Sequence, residues 1–201
     1  KWWNDLWLNE SFAEWASTIA TAEATEWTEA WTTFQAMEKS WAYKQDQLPS
    51  THPVYASIND LDDVLVNFDG ITYAKGGSIL KQLVAWVGLE AFMAGVAAYF
   101  KKHAFGNTEL KDLLVELEKT SGRELMEWSK LWLETAGVNT LRPDVVTAED
   151  GTVESFAIVQ TAAEDYPTIR PHRLAIGYYS LQDGKLVRHH RIEIDVEGAR
   201  T

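Results

Sequence analysis

The chain has no cysteine among its 201 residues. Disulfide bonds and thiolate metal sites are therefore excluded, a composition that fits a cytoplasmic protein. Basic residues are scarce: 18 lysines and arginines face 30 aspartates and glutamates, for a net charge of −12. Nothing basic is clustered enough to neutralise phosphates, which argues against nucleic acid or an anionic membrane as partner. No apolar run approaches the roughly 20 residues that span a bilayer, and no signal-peptide pattern is present. An initiating methionine is also missing, and the chain starts in mid-helix pattern, as an excised fragment would.

What is present reads as globular, with 46% apolar and 24% charged residues. The length suffices for one or two domains with a sizeable core. Eight of the ten tryptophans fall before position 90, which predicts a thickly packed helical first half.

The stretch Lys1-Trp-Trp-Asn-Asp-Leu-Trp-Leu-Asn-Glu-Ser-Phe-Ala-Glu-Trp15 organises the rest. At about 100° per residue, Leu8, Phe12, Trp15 and Ile19 form one apolar stripe of a helix over residues 4–22. Glu10 lies opposite, yet Trp3, Leu6 and Trp7 share its side. The expected helix is apolar almost all round and buried between layers. Glu10 becomes a carboxylate beside indole rings, poorly solvated unless a cation meets it.

Thr25 is expected to cap a second helix, with Trp27, Trp31, Phe34, Met37 or Glu38, and Trp41 as a core stripe running to about Lys44. A loop follows from Gln45 to about Val64. Its acidic run Asp60, Asp62, Asp63 lacks calcium-loop spacing and reads as a solvated turn with N-cap character. Asp69 or Gly70 then starts a helix to about Val87, stopped by a left-handed Gly88. Gly76 and Gly77 inside it cost about 1 kcal/mol each relative to alanine, which predicts another backbone passing close by. Tyr73 lies one turn earlier, where its residue type alone suggests half-buried packing. Three further helices follow. One runs over 90–103 with Phe92, Val96, Tyr99 and Phe100 inward. Another starts near Asn107 or Thr108 and ends at Gly122. The last carries Leu125, Trp128, Leu131 and Trp132 and is closed by Gly137.

From about Val138 to Pro143 the period changes to two. Asp150-Gly151 and Asp183-Gly184 mark hairpin turns. About four strands are too few to close a two-layer sandwich, so the second domain is expected to be truncated or to pair with another copy. The fold class is α+β and multi-domain: a helical bundle over 1–138, then a partial antiparallel β-sandwich over 139–201.

Residue spacing by itself supplies little chemistry. No two of the five histidines are spaced i, i+4 on a helix, so no self-contained zinc site is legible. His189 and His190 are neighbours on a strand and read as surface residues. Glu10 and Glu14 are one turn apart, ordinarily a solvated pair, although Glu14 could orient a metal-bound histidine.

Trp2 to Trp15 closely resembles the segment that follows the HExxH helix in zinc aminopeptidases of the aminopeptidase N family, which are gluzincin metallopeptidases. The resemblance implies that Glu10 is the third zinc ligand, with Ser11 replacing the more usual glycine. Phe68-Asp-Gly-Ile-Thr-Tyr73-Ala-Lys-Gly-Gly77 is similar to that family's F-D-x-x-x-Y-x-K-G-x segment, which implies that Tyr73 stabilises the oxyanion. Ser50-Thr-His-Pro53, Ala136-Gly-Val-Asn-Thr140 and Arg170-Pro-His-Arg-Leu-Ala-Ile-Gly177 extend the likeness along the chain. The implied fold is the C-terminal helical subdomain of a thermolysin-like catalytic domain and the start of the following β-sandwich. The implied cofactor is Zn²⁺ and the implied substrates are peptides. HExxH and the glycine-rich segment that grips the substrate amino terminus lie outside this sequence. These 201 residues alone are therefore expected to bind zinc poorly and to be inactive. Exposed strand edges and a half-stripped helical core favour self-association. The rival is a non-catalytic helical interaction module with a β appendage, in which Glu10 pairs with a lysine or arginine.

Overall fold

The computed structural model describes residues 3–201; Trp2, which opens the tryptophan-rich motif, lies outside them. A 3₁₀ turn (Trp3–Asp5) leads into α1 (Leu6–Ala24). Trp7, Leu8, Ser11 and Trp15 are its buried residues, with Phe12 and Ile19 packed at the margin of the core. The expectation that α1 is enclosed all round fails. Trp3 is 55% exposed, and Leu6 and Glu10 are half-buried. Trp7 turns inward with Leu8, so the buried stripe is centred differently than the sequence suggests. Glu10 then sits at the flank of that stripe, about 60° round from Trp7, and is not sealed among indoles.

The single helix predicted after Thr25 is two, α2 (Ala30–Ala36) and α3 (Glu38–Asp46), broken at Met37. Thr25 Oγ1 accepts the Trp27 N–H at 3.1 Å, closing a short turn instead of capping a helix. Nor is the aromatic stripe uniformly core. Phe34 is buried, but Trp27 is 67% exposed and Met37 and Trp41 also face solvent. With two short helices in place of one, the stripe no longer shares a single face. The acidic run does cap a helix: Asp60 accepts the Asp63 N–H at 2.9 Å at the start of α4 (Leu61–Asn67).

The helix predicted from Asp69 or Gly70 begins as a π-helical turn (Ile71–Lys75) before continuing as α5 (Gly76–Val87). Gly88 stops it at φ 87°, ψ 140°, a positive φ outside the left-handed helical region. In the π turn the Lys75 N–H reaches back to the Gly70 carbonyl at 2.9 Å. The Thr72 carbonyl is taken instead by Ser11 Oγ of α1, which donates to it at 2.7 Å. A Cβ on Gly76 would lie 1.8 Å from that Oγ, and one on Gly77 would lie 3.1 Å from Glu14 Cβ. The close approach therefore comes from α1 side chains, not from a passing backbone.

Next come α6 (Leu89–Lys102), α7 (Leu110–Ser121) and α8 (Met126–Leu133). Phe92, Val96 and Tyr99 point inward as expected, whereas Phe100 is 57% exposed. Glu109 caps α7, forming a capping box with Asp112, and left-handed Gly122 ends it. α8 stops at Leu133, short of Gly137, whose φ of 83° turns the chain toward the strands instead. Trp15 meets Phe92 edge-on at 4.9 Å in the common core, a pairing worth about 1 kcal/mol beyond area burial.

The strands form two antiparallel pairs, β1 (Asn139–Thr147) with β2 (Val153–Ala162) and β3 (His172–Gln182) with β4 (Lys185–Val196). Asp183 and Gly184 both have positive φ, as a two-residue hairpin turn requires. The α+β class and partial sheet content are as the sequence implies. Helices and strands are joined by Arg170, only 1% exposed. Its guanidinium donates to the carbonyls of Leu131 and Ala136, each at 2.9 Å, and to Thr135 Oγ1 at 2.6 Å, satisfying acceptors around the end of α8.

The Ser11–Gly76 contact makes a prediction. Gly76→Ala destabilises the fold by about 2–3 kcal/mol through overpacking, and by less than about 1 kcal/mol when Ser11→Gly is already present. Urea unfolding of the four variants checks this; an equal cost in both backgrounds would show that the contact is not the cause.

Candidate active site

α1 and the π turn bring Glu10 and Tyr73 together. The Tyr73 phenol's pKa is raised by burial first, then by a hydrogen bond to Glu10 and by the charges of Glu10 and Glu14. Glu14, one helical turn along, is itself pushed up by burial and by the Glu38 charge. Phe68 packs edge-on against Tyr73 at 5.9 Å. Among the described residues no lysine or arginine forms an ion pair with Glu10. The interaction-module alternative required such a partner. Nor does any group of three or more histidines or carboxylates gather at metal-binding spacing among the described residues. The donors present fit one oxygen ligand of a zinc site and not a whole set.

Residue-by-residue reasoning missed what holds the turn. Asp69 Oδ1 accepts the N–H groups of Ile71 at 2.9 Å and Thr72 at 3.1 Å. Its Oδ2 accepts from His52 Nε2 at 2.7 Å and Gln45 Nε2 at 2.5 Å. Gln45 Oε1 in turn accepts the Gly70 N–H at 2.8 Å. The other His52 nitrogen donates to the Pro53 carbonyl at 2.7 Å. Burial opposes a charge on His52, but the bonds to Asp69 and Pro53 and the Asp69 charge outweigh it and raise its pKa. An aspartate followed by two amides without helical partners was the available signal. The His52 and Gln45 contributions come from distant segments and had none.

On the far side, Lys75 Nζ pairs with Asp46 at 2.7 Å, both nearly buried. Asp46 also accepts the Gly137 N–H at 3.0 Å and the Thr51 hydroxyl at 2.7 Å. Burial pulls the Lys75 pKa down, Asp46 restores part of it and Arg170 lowers it further. Beside this pair, between helices and strands, lies a cavity of about 570 Å³ lined by Lys39, Lys75, Trp132, Arg170 and His172. Lys75 and Arg170 turn their donors onto the protein itself beside it. Burial and the charges of Arg170 and Lys39 push His172 down to about 4. His189 and His190 are exposed on β4.

α1 and the tyrosine-bearing turn lie within a stretch shared with a known family: the chain belongs to peptidase family M1, whose domain model matches residues 1–142. It is 63% identical over 210 aligned positions to aminopeptidase N of Streptomyces lividans, covering 100% of this chain and 24% of that protein. Tricorn protease-interacting factor F2 of Thermoplasma volcanium is 38% identical over 142 positions, 71% of this chain and 18% of that one. The mitochondrial aminopeptidase 2 of Saccharomyces cerevisiae is 34% identical over 151 positions, 75% of this chain and 15% of that one. The chain thus spans about a quarter or less of the length of these curated relatives. Among the described residues no single helix is long and apolar enough to cross a membrane.

The two perturbed histidines bias stability in opposite directions. His52, with its raised pKa, stabilises fully below the ordinary value near 6.5, and that contribution is lost as pH rises through its folded pKa. His172, lowered to about 4, contributes above pH ~6.5 and loses up to about 3 kcal/mol as pH falls toward 4. Thermal unfolding across pH 5–8 is expected to show a maximum near 6.5. His52→Gln flattens the alkaline side and His172→Gln the acid side between pH 6.5 and 5. An unchanged profile in either variant contradicts the assignment.

Proposed function

We propose that residues 1–138 are the C-terminal helical part of a zinc aminopeptidase catalytic domain and residues 139–201 the start of its β-sandwich domain, and that the whole polypeptide removes N-terminal residues from peptides. The observation that carries this is the meeting of Glu10, an acid with no basic partner among the described residues, with the hydroxyl of Tyr73. Family membership and full coverage by an aminopeptidase N relative support it.

Zinc, when bound, supplies Lewis acidity and lowers the pKa of a coordinated water. Glu10 would be the carboxylate ligand, the described residues gathering no group of three or more donors around it. Its place at the flank of α1 lets the carboxylate face outward while Trp7 and Leu8 anchor the helix. Tyr73 keeps its proton because burial and the neighbouring carboxylates disfavour the phenolate. Its hydroxyl is therefore a donor at neutral pH, suited to stabilise negative charge developing on a peptide carbonyl oxygen. The π turn sets where that donor stands. Glu14 holds a half-buried carboxylate one turn from Glu10.

Two experiments test the proposal. In a zinc titration and an aminoacyl anilide assay, these 201 residues alone are expected to show neither tight stoichiometric zinc nor turnover. Either signal would show that one carboxylate is not the whole of its ligand set. In the full-length polypeptide, Tyr73→Phe is expected to lower kcat by about 10²–10³ with zinc content and KM near normal. Loss of zinc instead would make Tyr73 structural.

A further inference from the structure

We propose that Asp69, His52 and Gln45 are positioning residues that hold the π-helical turn in the register aiming the Tyr73 hydroxyl, a role that rests on Tyr73 being the oxyanion donor. A π turn is an uncommon state of the backbone, found mostly as single turns at functional sites. It persists only if the groups it displaces find other partners. Here both ends are accounted for. At its start the Ile71 and Thr72 amides are held by Asp69 Oδ1 at 2.9 and 3.1 Å, and the Gly70 amide by Gln45 Oε1 at 2.8 Å. Toward its end the Thr72 carbonyl is claimed by Ser11 at 2.7 Å. The Tyr73 amide comes directly after, bonded to the Asp69 carbonyl at 3.1 Å.

Asp69 performs this only while its second oxygen is fixed. His52 and Gln45 both donate to Oδ2, at 2.7 and 2.5 Å, and His52 is itself anchored on the Pro53 carbonyl at 2.7 Å. Charge-assisted bonds of this kind are roughly twice as strong as neutral ones. Without them the carboxylate can rotate, the two amides lose their acceptor, and the start of the turn is no longer held. Tyr73 follows directly on that start, so a shift there moves the phenol while Glu10 stays fixed on α1. The expected signature is a loss of turnover with metal and substrate binding intact.

The test is a double-mutant cycle in the full-length polypeptide. Asp69→Asn puts an amide donor against the donors of His52 and Gln45. It is expected to lower kcat tenfold or more, with KM within about threefold and zinc content unchanged. In a Tyr73→Phe background the same change is expected to cost less than about twofold, because the hydroxyl it positions is gone. His52→Gln runs through the same cycle with a smaller loss, and it decides the matter should Asp69→Asn fail to fold by circular dichroism. An equal fold-loss with and without the Tyr73 hydroxyl, or a fall in zinc content, overturns the positioning role while leaving Tyr73 as donor. Wild-type turnover in Tyr73→Phe alone removes the donor assignment, and the positioning role goes with it.

Discussion

The Ser11 hydroxyl reaches the Thr72 carbonyl across two helices that leave no room for a methyl group between them. Most of the site geometry follows from that one hydrogen bond. It draws α1 against the start of α5, and the absence of a side chain at Gly76 makes the approach possible. It also takes the carbonyl that a continuous α-helix would have returned to the Gly76 amide, whose N–H turns to Ile71 and Tyr73. The π turn and the close helix pair are therefore two expressions of the same contact. Since Glu10 is one residue before Ser11 and Tyr73 one residue after Thr72, fixing that bond also brings the carboxylate and the phenol together.

Electrostatics then separates the two faces of the tyrosine-bearing turn. Lys75 points away from Tyr73 into the interior, where Asp46 meets it at 2.7 Å and Gly137 lies within reach. A buried ion pair is weak evidence for stability, because desolvation offsets much of the attraction. Its geometric effect is definite: α3, the π turn and the Thr135–Gly137 corner are tied at one carboxylate. On the other face Glu10 and Glu14 stand without basic partners among the described residues, and their field raises the Tyr73 phenol. Cations are turned inward toward the Arg170 junction, and anions are left at the outer face.

The amino-acid pattern made the helical half, the change of period near Val138 and the hairpin turns legible, because those depend on local periodicity and turn chemistry. It misplaced the partners of α1, since a wheel drawn at 100° per residue shows which residues share a face but not which face the core takes. Trp7 going inward moved Glu10 to the flank and left Trp3 exposed. The break at Met37 was illegible because a run of aromatics at helical spacing looks the same whether or not the helix bends. Glu10 and Tyr73 are singled out by the resemblance of their motifs, not by any local periodicity. Asp69 was noticed only as a helix start, for its second oxygen is held by His52 and Gln45 across a loop that no local pattern predicts.

The proton on Tyr73 is where these constraints meet. The first cause of its raised pKa is burial, which does not depend on Glu10 carrying an unpaired charge. If that charge is engaged elsewhere, the Glu10 hydrogen bond and field weaken, but burial and the Glu14 charge still oppose ionisation. The phenol then remains a donor, now released from its nearest acceptor and free to find another. Burial and the Glu14 charge thus oppose ionisation of the phenol whether or not Glu10 accepts from it. The backbone clamp at Asp69 is anchored on a different element from Glu10, so under the positioning role proposed above the turn stays held whatever Glu10 binds.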